Sequence, residues 1–194
     1  MISLNHPRVS RAIVSALLLA STACVRAPVP TTIAAPARAG ADFDYLRSRN
    51  LVVPVRGVDA SRLPDTYHAK RSGSRIHRAT DIMAPRGTPV LSADDGRVIS
   101  MRDNASGGLV VYAFDPAERL VYYYAHLDKY RDGLKAGARL AKGDVIGYVG
   151  TSGNAPKNAP HLHFQVMRHD PGKGYWDGTP LDARPFLTRD GKVR

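Results

Sequence analysis

From Leu51 onward, short β-prone segments alternate closely with turn residues, and this alternation restricts the fold more than any other feature of the sequence. Turn residues at 85–87, 94–96 and 152–153 separate the segments, and the chain holds 17 Gly and 14 Pro. No strong helical period runs through this part. The pattern predicts a compact, mostly antiparallel β domain. The candidate strands are residues 51–55, 80–83, 89–93, 97–102, 109–114, 120–126, 144–149 and 161–167.

The first 24 residues have the order of a secretory signal. Arg8 and Arg11 precede an apolar run over residues 12–20, and small residues then lead to Cys24. The run is shorter than the roughly 20 residues that span a bilayer. We therefore predict a signal peptide over residues 1–23 and an exported protein of the periplasm or cell envelope.

Cys24 is the only cysteine, so an internal disulfide is excluded. Its position after small residues resembles the lipobox of bacterial lipoproteins, although Ser21 stands where a Leu is usual. That resemblance implies lipid on Cys24 and attachment to a membrane. The alternative is an ordinary signal peptide cut near Ala23, which would leave a free thiol.

Two further segments precede and follow the strands. Residues 24–41 are rich in Ala, Pro and Thr, and we interpret them as a flexible tether. A short helix is predicted over residues 42–50, and a single domain over 42–194. In the closing segment from residue 175 onward, we interpret the large apolar side chains as packing residues. They are Trp176, Leu181, Phe186 and Leu187.

The formal net charge of +11 points to anionic surroundings. Nucleic acid, an anionic membrane face and acidic wall polymers all fit this charge. The basic residues are scattered, without a long run or interleaved aromatics, so we expect no nucleic-acid partner. We also expect a monomer.

Two histidine-containing pairs carry the chemistry. His77 and Asp81 form an H-x-x-x-D pair, and His161 and His163 form an H-x-H pair. Alternate residues of a strand share a face, so His161 and His163 would point the same way. Two imidazoles and a carboxylate suit catalytic zinc, which keeps an open fourth position. Each pair also arises readily by chance, and solvated histidines on an open strand face are commoner than ligands.

Other candidate residues have a simpler interpretation beside the functional one. His126, taken alone, fits a structural histidine at a strand end. The run from Tyr122 to Tyr124 fits strand packing as well as substrate contact. His68 and His169 have no evident partners in the sequence and are interpreted as surface residues.

The order of the motifs resembles the lysostaphin/LytM-type zinc endopeptidases. The sequence has HxxxD at 77–81, an aromatic-x-His-Leu segment at 124–127 and HLHF at 161–164. Family-like turns also occur at 81–90, 95–98, 142–147 and 150–153, so the likeness covers about half the chain, residues 71–167. Two positions depart from the family pattern, because Ala79 replaces a common Gly and Gln165 a frequent Glu.

The resemblance implies a zinc metallopeptidase domain at 42–194 with its motif core at 71–168. His77, Asp81 and His163 would bind one zinc ion, and His126 and His161 would be catalytic. The implied fold is a small two-layer antiparallel β domain with a groove over the larger sheet. The implied reaction is hydrolysis of peptide cross-links in peptidoglycan. A non-catalytic wall-binding or amidase-activating module of the same fold is the alternative.

Overall fold

The computed structural model describes residues 35–71 and 73–188. The predicted signal peptide, Cys24 and residues 24–34 of the predicted tether lie outside the described residues. Within these two described ranges, no helix is both long enough and apolar enough to cross a membrane.

One α-helix precedes a set of nine strands. Single 3-10 turns lie at Ala60–Arg62 and Arg184–Phe186. The elements are α1 (Ala35–Ser48), β1 (Thr80–Met83), β2 (Pro89–Leu91), β3 (Gly96–Asn104), β4 (Gly108–Phe114), β5 (Leu120–Tyr130), β6 (Arg139–Leu140), β7 (Val145–Val149), β8 (His161–Arg168) and β9 (Thr179–Leu181).

All strand pairs are antiparallel, which confirms the predicted mostly β fold. The main order is β1-β8-β5-β4-β3-β6, with β9 beside β8. Strand β5 has 11 residues and pairs with β4 and β8, and its second half then pairs with β7, which pairs with β2. Register shifts near Leu127 mark the change of partner, because a bulge bends a strand. The smaller part of the sheet, β2 and β7, is therefore hydrogen-bonded to the larger part, β1-β8-β5-β4-β3-β6, through β5.

The larger sheet has one covered face and one open face. Leu162, Phe164 and Val166 of β8 are buried in the main core together with Tyr122 and Tyr124 of β5. Because side chains alternate along a strand, the residues between them point to the opposite face. That opposite face carries the histidines of β8 and, on the neighbouring strands, Tyr123 and Tyr112. The aromatic run thus divides, with two tyrosines in the core and Tyr123 outside it.

Several strands differ from the sequence prediction. Residues 51–55 form only isolated bridges, at Val52 and Val55, although Leu51, Val53 and Val55 are buried. Pro54 interrupts this segment and lacks the N–H that a regular ladder needs. Strands β6 and β9 were not predicted, because β6 has two residues and β9 contains a proline.

Helix α1 begins at Ala35, inside the stretch interpreted as a flexible tether, and residues 35–41 are helical. Alanine has the highest helix propensity, which outweighs the low apolar content of this stretch. The helix is also fixed by packing, because Leu46 is fully buried and Phe43 stacks on Phe186 at 5.9 Å.

Candidate active site

The three predicted metal ligands meet where β1 and β8 pair. Asp81 of β1 lies directly opposite His163 of β8, and His77 lies just before β1. The ligand atoms of the three residues all lie within 4.8 Å of one another. His163 Nδ1 is 3.0 Å from Asp81 Oδ1 and 2.9 Å from His77 Nε2. The antiparallel register therefore brings together residues that are far apart in sequence.

The donor set and its spacing fit zinc. Zinc–ligand distances near 2.0–2.1 Å place the donors of a tetrahedral site about 3.3 Å apart. The distance from His77 Nε2 to Asp81 Oδ1 is 3.2 Å, close to that value. His77 Nδ1–H donates to the carbonyl of Thr66 at 2.9 Å, so its Nε2 carries the lone pair. The predicted zinc site at His77, Asp81 and His163 is therefore assembled in the fold.

The electrostatics favour the protonation states that bind a cation. Burial raises the pKa of Asp81, but the adjacent side chains of His163 and His77 outweigh it and hold this pKa well below its usual range. Burial lowers the pKa of His163. The guanidinium of Arg71 lies 3.2 Å from the second oxygen of Asp81. An ionised carboxylate and a neutral imidazole are the forms that act as metal ligands.

His126 and His161 lie beside this triad in matching orientations. Their rings are 4.9 Å apart, and the ring of His126 is 5.7 Å from that of His163. His126 Nδ1–H donates to the carbonyl of Ser152, and His161 Nδ1–H to that of Ala159, each at 2.9 Å. In both rings Nε2 consequently carries the lone pair. Burial lowers the pKa of His126 to about 4, so its imidazole is neutral near pH 7.

Two site segments have a left-handed backbone at residues other than glycine. His126 has φ 63° at a register shift in β5, and Arg78, inside the HxxxD segment, has φ 58°. Such a conformation costs on the order of 1 kcal/mol and persists only where its surroundings hold it. Here His126 N–H donates to the carbonyl of Gly107 at 2.7 Å, and Arg78 N–H to that of Tyr67 at 2.8 Å.

The two departures from the family pattern have structural explanations. The positive φ falls at Arg78, and Ala79 is not among the described residues with positive φ, so its methyl group is tolerated. The amide Nε2 of Gln165 donates to the carbonyl of Arg78 at 3.0 Å. A glutamate could not donate this hydrogen bond. Gln165 thus supports the segment that carries His77 and Asp81.

A cleft of about 380 Å³ opens over the site. Its walls come from the segment before His77, from the β3–β4 turn and from the loop before β8. The residues that line it are Arg71, Arg75, Ile76, His77, Ser106, Gly107, Tyr123, Ala125, His126, Asn154, Ala155, Pro156, His161 and His163.

The sequence missed the groups that orient the site histidines. The carbonyls of Thr66, Ser152 and Ala159 are backbone acceptors, which leave no mark in a sequence. The ion pair between Arg71 and Asp81 also depends on the folded loop. His68 is exposed beside Tyr67, and His169 donates to the carbonyl of Glu118, both outside the cleft.

Solved structures share this fold. The catalytic domain of lysostaphin from Staphylococcus simulans matches with a TM-score of 0.53 and 26% identity, over 74% of this chain and 96% of that one. Csd3 from Helicobacter pylori matches with a TM-score of 0.55 and 30% identity, over 71% of this chain and 34% of that one.

Curated relatives match in sequence. The L-Ala–D-Glu endopeptidase of Bacillus subtilis is 38% identical over 56% of this chain, and the peptidoglycan DD-endopeptidase ShyC of Vibrio cholerae is 33% identical over 63%. The chain spans 34% and 27% of the lengths of these two relatives. Residues 75–182 match the model of peptidase family M23, and that range contains every residue of the predicted site. The resemblance to the lysostaphin/LytM type is thereby confirmed, and the chain belongs to peptidase family M23.

Proposed function

We propose that this chain is a zinc-dependent endopeptidase that hydrolyses peptide cross-links of bacterial peptidoglycan. The observation that carries the proposal is the convergence of His77, Asp81 and His163 beside two further histidines that line the cleft. Three similar proteins are named as an L-Ala–D-Glu endopeptidase, a peptidoglycan DD-endopeptidase and a glycyl-glycine endopeptidase. All three names support a peptide bond as the target. Their differing names leave the individual bond to experiment.

Each site residue has a distinct task in this proposal. His77, Asp81 and His163 would hold the ion, which would supply Lewis-acid chemistry to polarise the scissile carbonyl and make water more acidic. His126 and His161 present Nε2 lone pairs, because backbone carbonyls fix their Nδ1–H groups. One of these nitrogens takes the proton of the attacking water. Once protonated, an imidazole can donate to the developing oxyanion or to the leaving amine.

Digestion of purified wall tests the proposal directly. We expect zinc-loaded protein to release peptide fragments, and chelator-stripped protein to release none, because the triad alone offers no Lewis acid. Adding zinc back should restore release. Mass analysis of the fragments identifies the bond that is cut.

Two results would contradict the proposal. Hydrolysis that persists after complete zinc removal would exclude the metal mechanism. Protein that sediments with insoluble wall but leaves its fragment profile unchanged would favour the non-catalytic module instead.

We also propose that the chain is exported to the cell envelope and anchored by lipid on Cys24. The charged, apolar and small-residue order before Cys24 supports this proposal, as does the Pro- and Ala-rich stretch after it. We expect a labelled fatty acid to be incorporated into the wild-type protein in bacterial cells. Cys24→Ala should remove the label, because the acceptor thiol is gone. An unlabelled wild-type protein would show that the ordinary signal-peptide interpretation is correct.

A further inference from the structure

We propose that a row of aromatic side chains beside the cleft binds the glycan strand of the wall polymer while the cleft holds its peptide. The row consists of Tyr123, Tyr112, Tyr175 and Trp176, and we call it the aromatic row. This inference rests on the proposed function, because it names the second part of the same substrate.

The aromatic row begins at the metal site and continues without interruption. The ring of Tyr123 lines the cleft and lies edge-on to His163, with centroids 5.9 Å apart. From Tyr123 the next ring, Tyr112, is 4.6 Å away. Tyr175 follows at 5.1 Å and Trp176 at a further 4.9 Å. Each separation lies within or close to the range of direct aromatic contact.

The sheet register places the row on the open face. Tyr112 of β4 pairs with Tyr123 of β5, which in turn pairs with Gln165 of β8, two residues beyond His163. Buried Phe114, Val121 and Met167 pack against these tyrosines on the same face. The row therefore extends the floor of the cleft on a supported surface.

Trp176 is 59% exposed, contrary to the sequence prediction that it is a packing residue. The other large hydrophobic residues that are exposed in the described ranges are Ile76 and Met83. A large aromatic side chain left in water beside a cleft is typical of a binding surface, because its apolar area is buried only on association.

The exposed ring is nevertheless held in a defined position. The guanidinium of Arg102 lies 5.7 Å from the ring centre of Trp176 and 5.5 Å from that of Tyr175, and it donates a hydrogen bond to the Tyr175 hydroxyl. A Cβ atom at Gly174 would lie 2.6 Å from the indole of Trp176. The ring can therefore pack closely here because Gly174 has no side chain. A ring fixed in this way loses little conformational entropy on binding.

Sugar rings are the ligand that this surface fits. A pyranose presents C–H groups on one face, and their slight positive charge is attracted to the negative face of an aromatic ring. In the wall polymer the peptide is covalently linked to the glycan, so a cleft that holds the peptide brings the glycan to the adjoining surface. Arg102 supplies a donor for the carbonyl or carboxylate groups of the substituted sugars.

A membrane surface fits the row less well. Trp176 is the one strongly exposed ring of the row, while Tyr112, Tyr123 and Tyr175 are half-buried, so little apolar area could enter a bilayer. A bilayer on this face would also cover the cleft that continues from it.

The test uses the fluorescence of Trp176, which is the only tryptophan of the chain. The zinc-loaded full chain is titrated with a β-1,4-linked hexamer of N-acetylglucosamine. We expect a saturable shift of the emission to shorter wavelength, because stacking removes the indole from water. An α-1,4-linked glucose hexamer, with a different chain shape, should produce no shift. An unchanged emission with the N-acetylglucosamine hexamer would overturn the proposal, and so would a shift produced by anionic phospholipid vesicles alone.

Variants link this binding to hydrolysis. We expect Trp176→Ala to raise the half-saturating concentration of intact wall about tenfold without changing the maximal rate. Trp176→Phe should retain tight binding because it keeps an aromatic face. His68→Ala, which removes an exposed ring outside the cleft, is the matched control and should change nothing. Equal wall affinity of Trp176→Ala and the wild type would contradict the proposal.

A glycan-free cross-linked peptide separates the two proposals. Its hydrolysis should be the same for Trp176→Ala and the wild type, because a peptide without glycan does not extend from the cleft to Trp176. If the wild type hydrolyses neither substrate, the endopeptidase proposal fails. The sugar titration still reports on the aromatic row, since it requires no catalysis.

Discussion

Replacing His163 by alanine is expected to remove both the bound zinc and the hydrolysis of wall peptides. The change deletes one of three convergent donors and the hydrogen bond that His163 makes with Asp81. Two remaining ligands cannot hold a catalytic ion with one open position. We expect activity to fall at least ~10³-fold. Zinc per chain, measured by elemental analysis, and fragment release from wall check both parts.

Two other histidine variants make this result specific. His126→Ala should retain one zinc ion per chain but lose ~10²–10⁴-fold in rate, because it removes a proton acceptor rather than a ligand. His68→Ala should match the wild type in both measurements, since His68 is exposed outside the cleft. A His163→Ala protein that still binds stoichiometric zinc and cuts wall would remove His163 from the ligand set.

Asp94→Ala is expected to cause the largest loss of stability. The carboxylate of Asp94 is buried, and it accepts hydrogen bonds from the Tyr122 hydroxyl and from Arg49 Nε, both at 2.7 Å. The ammonium group of Lys142 lies 3.4 Å from its other oxygen. Removing the anion takes this acceptor from Tyr122 and Arg49, at a cost of about 3–5 kcal/mol in the free energy of unfolding. Lys142 keeps the carbonyls of Arg49 and Asn50 as acceptors. Denaturant titration measures that difference.

Asp132→Ala serves as the control for the charge change, because Asp132 is exposed. It should alter the free energy of unfolding by no more than about 0.5 kcal/mol.

The side chains of Arg49 and Lys142 are 22% and 25% exposed, so partial rehydration limits the loss in Asp94→Ala. A loss below about 1 kcal/mol would show that rehydration compensates for the missing carboxylate almost entirely.

The sequence was most informative where the side-chain pattern and the site coincide. In β8 the alternation of His161, Leu162, His163 and Phe164 predicts which residues enter the core and which face the cleft. The structure agrees, because the two apolar residues belong to the main core and both histidines line the cleft. The ordered motifs predicted the family and the residues that meet at the metal site. Such motifs survive in a sequence because each position needs a particular side chain.

The sequence was least informative where function depends on the backbone or on distant contacts. The carbonyls that orient the histidines and the left-handed conformations at Arg78 and His126 have no side-chain signature. The aromatic row is assembled from separate elements, β4, β5 and the segment after β8, so its continuity is a property of the tertiary structure. For the same reason, Trp176 was mistaken for a packing residue.

Strand β5 carries His126 of the cleft, and we expect its backbone amide protons to exchange with solvent more slowly than any others in the described residues. Residues 121–124 of β5 are flanked on both sides by β4 and β8, and the strand then continues to β7 beyond His126. Its amide protons cannot meet solvent by fraying of an edge, so they exchange only when the sheet opens as a whole. His126 is therefore fixed by the most protected strand of the sheet as well as by the loop carbonyls of Gly107 and Ser152.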